Sequence, residues 1–497
     1  MNLRTVRIAA FMLVALPFLL GIKPQENEIP ITTSSPEAKA QVETAVGLME
    51  QLRFADAVPV LTKAVGLDPD CAYAYYCLAQ CATTPNDTRN QIEKAVKLID
   101  KVSTGERLLI QAFAAQINGD MKSAETITRN AVSEYPNDKR ARLTLAAVLY
   151  GTRDFTGAAT ELQKAVQIDK SYAPAYNLLG YAEMRIGDLP KAEAAFKQYT
   201  TLIPDQPNPH DSYAELLLKE GKYDDAITSY SKALSLDPSF FNSEIGLATA
   251  YSFKGMQMEA RKHLQKLVDS SPDNGVKIQA LNMIAATYIE EGQFDKAMEE
   301  LNKSHDIAVA EKDPVLAANI LVLLGRTALQ SGTIDASKGT YLKIRTPVTA
   351  KVDQAATYFD DAQRVIHDAN LPKGVIDLTD AGTMVNNVEV ALAKNDIAGA
   401  KSIAKRFEEV AAQNNQDQIQ RSLHQIRGMI AIADMKYADA VTELNQTNLR
   451  DPLNMYRLAE AYEGAGNATK AKELRNDIRN FNEISFNLAF VRPLTKP

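Results

Sequence analysis

A period of 34 residues constrains this chain more than any other feature of it. Five blocks run in unbroken tandem from Gly105 to Asn274 and a sixth aligns with them upstream. The eighth position of the tandem blocks holds Ala112, Ala146, Gly180, Ala214 and Ala248, and the twentieth holds Ala124, Ala158, Ala192, Ala226 and Ala260. A third small-residue slot holds Ala131, Ala165 and Ala233, with Tyr199 and Leu267 as exceptions. Pro136, Pro204, Pro238 and Pro272 end blocks, and Lys170 stands in the remaining one. Within one block Tyr176, Leu179, Gly180 and Glu183 fall at i, i+3, i+4 and i+7, a single helical stripe, and Ala192, Phe196 and Tyr199 repeat that spacing downstream. Gly187-Asp188 separates the two stripes, with Gly119, Gly221, Gly255 and Gly292 at equivalent places, where a helix end favours a left-handed residue. Proline then stops the second helix, because it lacks an N–H and disfavours the α region one residue earlier. Each block therefore predicts an antiparallel pair of helices.

These residues resemble the tetratricopeptide repeat (TPR) family, in which a 34-residue helix-turn-helix unit recurs. The resemblance implies an all-α fold, a right-handed α-solenoid of stacked hairpins. It also implies that the first helices of the hairpins line a concave groove. Such an array grows by nearest-neighbour packing, so 497 residues do not demand several separate cores.

Projection of the groove-facing positions onto this chain selects Phe113, Arg140, Tyr150, Asn177, Tyr181, Arg185, Asp211, Lys219 and Phe253 as a candidate peptide-binding groove. This mixture of rings and polar groups suits an extended peptide or an amphipathic helix. Packing between neighbouring repeats is the competing role for the rings. The carboxylate clamp of some family members does not carry over: Asn177 is offset by one position, and the next block presents Asp211 and Ser212.

The array is less regular outside the tandem run. Residues 38–344 are expected to form the main array, opened by a block from Ala38 to Cys71 with Ala45, Ala57, Ala64 and Pro69 in register. Pro59 lies inside the second helix of that block and is tolerable only near its first turn. Residues 72–104 read as a shortened repeat, broken at Thr83 to Asp87 before a helix from Asn90 to Val102. Residues 278–313 restore the pattern with a longer second helix, and a block from Ala318 keeps Gly325, Gly332 and Tyr341 with Ser337 in an alanine slot. Residues 345–380 read as an irregular helical connector and the expected boundary or hinge. Residues 381–497 read as degenerate repeats closed by a cap from Phe481 onward.

Arg4 and Arg7 precede an uncharged apolar run from Ile8 to Ile22, the layout of a secretory signal, so residues 1–22 are expected to be a signal peptide or an uncleaved signal-anchor. The run has 15 residues, short of the ~20 that a spanning helix needs. No stable membrane span is therefore expected unless the signal is retained. Residues 23–36 read as a flexible linker, and the expected location is periplasmic or associated with the cell envelope.

No Walker loop, dinucleotide fingerprint or His-Glu-x-x-His segment is present, and the five histidines are scattered. No catalytic residue, cofactor or metal site is assigned, and the chain is not expected to be an enzyme. A net charge of −7 argues against a nucleic-acid partner. Cys71, Cys77 and Cys81 form one compact cluster, either buried small side chains or one disulfide with a thiol left over. The expected function is an exported TPR scaffold that binds partner proteins or peptides. The alternative is a glycan- or small-ligand-binding component of an envelope complex, which the absence of tryptophan disfavours.

Overall fold

The computed structural model describes residues 28–82, 84–333, 349–369, 371–414, 416–481 and 485–495. The expected signal segment, residues 23–27 of the expected linker, Ser337 and Tyr341 all lie outside the described residues. Every regular element among those described is helical. The described residues divide into two compact units, one ending at Pro204 and one beginning at Asp205.

The first unit holds five hairpins: α1 (Pro36–Glu50) with α2 (Phe54–Leu67), α3 (Ala72–Cys81) with α4 (Pro85–Val96), α5 (Thr104–Ile117) with α6 (Met121–Glu134), α7 (Lys139–Gly151) with α8 (Phe155–Ile168), and α9 (Ala173–Ile186) with α10 (Leu189–Leu202). Each hairpin packs on the next, as an α-solenoid requires. The turns follow from sequence. Gly187 takes φ 96° after α9, and Asp188 then caps α10 by accepting the N–H of Lys191. Asp120 and Asp154 cap α6 and α8 in the same way. Arg153 occupies the left-handed turn position at φ 68° with no glycine to mark it, as do Leu52, Asn395 and Met435 at φ 60°.

The small-residue slots are where the two helices of a hairpin meet. Ala112, Ala146, Ala124, Ala158 and Ala192 are fully buried. At Gly180 even a methyl group does not fit, because an added Cβ would stand 2.5 Å from the ring of Phe196. Pro59 is the sixth residue of α2, past its first turn, and the helix continues through it. The residue lies on the exposed face, where water can satisfy the carbonyl that its missing N–H leaves free. The shortened repeat also differs from expectation. Thr83 is outside the described residues, but the rest of the expected break starts a helix: Thr84 caps α4 from Pro85, and α4 pairs with α3.

The second unit holds seven hairpins. They are α11 (Pro207–Lys219) with α12 (Tyr223–Leu236), α13 (Phe241–Phe253) with α14 (Gln257–Ser270), α15 (Asn274–Glu290) with α16 (Phe294–Ala310), and α17 (Pro314–Thr333) with α18 (Thr349–Asp368). Then follow α19 (Lys373–Ala393) with α20 (Ile397–Gln413), α21 (Asp417–Ala433) with α22 (Tyr437–Leu444), and α23 (Pro452–Gly464) with α24 (Ala468–Arg479). Helix α17 is apolar and long enough to cross a membrane, but 61% of its most apolar stretch is buried by its neighbours.

The expected connector at 345–380 is a correction. Over its described residues it supplies α18, the second helix of a hairpin, and the start of α19. Val352, Ala355, Phe359, Ala362 and Ile366 of α18 are buried in the largest core cluster, and the Phe359 ring fills the space over Gly325. A 20-residue helix cannot be recognised with a template built for 14. A buried ion pair links α19 to α23: Arg457 donates to Glu389 Oε1 at 2.6 Å, with side chains 1% and 3% exposed.

The C-terminal cap is a short helix, α25 (Phe486–Val491), followed by a 3-10 turn, Arg492–Thr495. It packs on α23 of the last hairpin and also reaches α15, four hairpins earlier in the chain. Leu488, Phe490 and Val491 are buried. Asn487 donates to the Asp451 carboxylate at 3.0 Å and accepts from Arg326 at 3.1 Å.

Candidate functional site

First helices of successive hairpins touch one another within the first unit, from α1 to α9, so their exposed sides lie along one face. Three of the selected groove residues come together there. Arg185 Nε donates to the Tyr150 hydroxyl at 3.4 Å, and Tyr181 stands one turn before Arg185 on α9. Asn177, one turn earlier again, is half-buried. Both tyrosine rings are held by edge contacts, Tyr150 on Phe155 at 5.2 Å and Tyr181 on Phe196 at 5.1 Å. The rings therefore serve packing and surface at once: one edge locks the hairpin and the rest stays half-open. Phe113 packs edge-on against Tyr76 at 5.7 Å, on the same face but nearer the chain start.

Arg140 has a different task from the one projected. It bonds to Asp138 at 2.6 Å, to the Tyr73 hydroxyl at 3.2 Å and to the backbone carbonyl of Ile29. Its guanidinium is thus engaged by the chain's own N-terminal segment.

That segment corrects the flexible-linker expectation for residues 29–35, which are docked along the hairpin edges. Ile29 is buried against Gly105 and Tyr135, and its N–H donates to Asp138 Oδ2 at 2.8 Å. The Thr32 N–H donates to Glu106 Oε1 at 2.8 Å, and the Thr32 hydroxyl bonds to the other oxygen of that carboxylate. The Thr33 hydroxyl and the Ser34 N–H both reach Asp68 Oδ2, at 2.5 and 2.8 Å. These bonds hold the Asp68 carboxyl below its ordinary range, the Thr33 hydroxyl contributing most. Composition alone hid this role, since Pro, Thr and Ser read as linker residues. The alternating apolar Ile29 and Ile31 were the available signal.

The three groove residues of the second unit are not a shared surface. Asp211 is buried and accepts the Ser243 hydroxyl at 2.6 Å, and burial pushes its carboxyl up to about 6. Lys219 is exposed at the end of α11. Phe253 is buried beneath the C-terminal turn: Arg492 stands over its ring at 5.0 Å and donates to its carbonyl at 3.2 Å.

A cleft of about 640 Å³ lies between α16, α17 and α18 and is lined by His305, Val309, Lys312, Asp361 and Arg364 among others. Among the described residues no group of three or more His, Cys, Asp or Glu side chains could hold a metal ion. The three cysteines are buried free thiols, and burial pushes Cys81 up to about 11.

Comparison with known proteins agrees with this architecture. Models of the tetratricopeptide repeat match residues 43–87, 173–206 and 278–308, and a TPR repeat model matches 214–255. Those segments of the chain thus carry tetratricopeptide repeats, within an all-α solenoid of stacked hairpins. Repeats of this type build protein-interaction scaffolds, generally non-catalytic ones. Among curated proteins it is 24% identical over 145 residues to human protein O-mannosyl-transferase TMTC1, covering 29% of this chain and 16% of that protein. It is 21% identical over 356 residues to bovine DnaJ homolog subfamily C member 3, covering 58% and 70%. The chain thus spans a small part of the first relative and about two thirds of the second. Among solved structures, a tetratricopeptide repeat protein from Parabacteroides merdae aligns with a TM-score of 0.40 at 17% identity, over 56% of this chain and 98% of that one. YrrB, described as a TPR protein with an unusual peptide-binding site, aligns at 0.29 and 20% identity, over 38% and 95%.

Proposed function

We propose that this chain is an exported, non-catalytic scaffold that holds a protein or peptide partner on the inner face of its first unit. The carrying observation is the Tyr150, Tyr181 and Arg185 group, two anchored half-open rings beside an exposed cation. Rigid aromatics add buried area at low entropic cost, and a guanidinium fixes orientation by bidentate bonding. A segment with an apolar anchor and a carboxylate one turn away complements this group. The apolar run behind Arg4 and Arg7 supports an envelope location. A sugar ligand has less support, because the chain has no tryptophan.

A photo-crosslinking residue placed at Tyr181 in the native host tests this reading. The expected result is a discrete protein adduct absent when the same residue replaces Lys164, which is exposed on the second helix of a neighbouring hairpin. Equal labelling from both positions, or none from Tyr181, would refute the inner-face site. Cell fractionation of the same strain checks the location, and a purely cytosolic chain would overturn the exported reading.

A further inference from the structure

We propose that the edge track holding residues 29–35 is a second peptide-binding site, independent of the inner face, which takes an extended segment of partner chain carrying a branched apolar residue followed three to five positions later by hydroxyl residues. The chain's own segment is its resident occupant and displays the recognition chemistry.

Three carboxylates from three successive hairpin boundaries, Asp138, Glu106 and Asp68, accept the N–H groups of Ile29, Thr32 and Ser34. Arg140 completes the backbone reading by donating to the Ile29 carbonyl. An extended chain advances ~3.3 Å per residue, so acceptors spaced one hairpin apart meet a peptide every two or three residues. Backbone contacts of this kind demand an extended conformation more than a particular sequence. Side chains add the selectivity. Ile29 enters a slot that exists because residue 105 is glycine, where a Cβ would stand 2.6 Å from the isoleucine and 2.9 Å from the Tyr135 ring. Thr32 and Thr33 place hydroxyls on Glu106 and Asp68. Between Ile29 and Ser35 the occupant carries no acidic residue, which suits a track lined by three carboxylates. A partner segment with a carboxylate or phosphate at these positions would be repelled.

The three carboxylates also cap their own turns. Asp138 accepts the N–H groups of Arg140 and Ala141, Glu106 that of Ser103, and Asp68 that of Asp70. The track is therefore held by the fold and does not depend on the segment that fills it. Displacing the occupant should leave it ready for a ligand in trans.

The test uses the full chain with Ile29→Asp, which drives the resident segment out by setting a carboxylate beside Asp138 and leaves every track residue intact. Ser34→Pro, which removes the N–H facing Asp68, is the second variant should the first unfold. The probe is a fluorescent synthetic peptide of residues 28–35, followed by anisotropy, with helicity by circular dichroism as the folding control. A tethered occupant presents an effective concentration of about 1 mM, so the displaced variant is expected to bind the peptide at least tenfold more tightly than the unmodified chain. The same peptide with Thr32→Pro, which lacks the N–H that meets Glu106, is expected to lose that binding. Equal binding to both proteins, no binding to either folded variant, or full binding of the proline peptide would each overturn the proposal.

Discussion

Replacing Gly180 by alanine tests the packing rule on which the whole array rests. An alanine methyl would stand 2.5 Å from Phe196 Cε1, whereas ordinary contacts begin at 3.4 Å, so the ring or the helix must move by roughly 1 Å. Phe196 is completely buried between α9 and α10 and has no free side to move toward. Overpacking of this kind costs about 1–3 kcal/mol. It is opposed by a gain of about 1 kcal/mol from placing alanine in a helix interior. The net expectation is a loss of up to about 2 kcal/mol. In a Phe196→Leu background the clash disappears and the propensity gain remains, so the same substitution should then stabilise by about 1 kcal/mol. Because the chain has no tryptophan to report locally, and repeat arrays unfold by segments, the measurement is hydrogen exchange of peptides from α9 and α10 across the double-mutant cycle. Greater protection from Gly180→Ala with Phe196 in place, or a coupling below about 0.5 kcal/mol, would refute the claim that the ring fills the methyl's space.

Asp211→Asn should raise stability at neutral pH while keeping the Ser243 bond. The folded state holds the Asp211 proton more tightly than the unfolded chain, so this contribution is complete below about pH 4 and is lost as pH rises through about 6. The gap from 3.8 to about 6 sets a ceiling near 3 kcal/mol, at 1.36 kcal/mol per pH unit. Melting curves from pH 4 to 8 should show a falling limb in the unmodified protein that flattens in the variant; parallel curves would disprove it. Arg457→Met should cost about 3–5 kcal/mol by leaving Glu389 buried without its cation, and Glu389→Leu added to it should recover most of the loss. Urea titration of both variants decides this, and a double variant no better than the single one removes the ion-pair explanation. Thiol labelling of the native protein should find Cys77 unreactive, since burial raises its thiol far above the usual range. Three thiols should then appear on unfolding without reductant, and a count of one would establish a disulfide.

Much of the fold was legible because helical periodicity is a local property. Positions such as Ala192 and Gly180 announce a close helix crossing wherever they recur at fixed spacing, and Gly187-Asp188 announces a turn and a cap together. Legibility failed where the geometry changed without a marker. Arg153 and Met435 adopt the left-handed turn without glycine, and α18 outgrew the repeat length. The candidate site was only partly legible. Projection by position put Tyr150, Tyr181 and Arg185 on one face, but it had no means of knowing that Phe253 lies under Arg492, 239 residues further along the chain.

The amino-acid sequence by itself determined the repeating unit of the tandem run: its two helical stripes, the turn between them where a glycine marks it, and the small side chains that let the two helices touch. Those outcomes depend on contacts within about 34 residues, and the pattern encodes them directly. Tertiary structure alone decided which surfaces stay open. The N-terminal segment lies on Asp138, more than a hundred residues away, and the C-terminal helix lies against α15. Such long-range docking is selected by shape and hydrogen-bond satisfaction across the stacked array, and no local period records it.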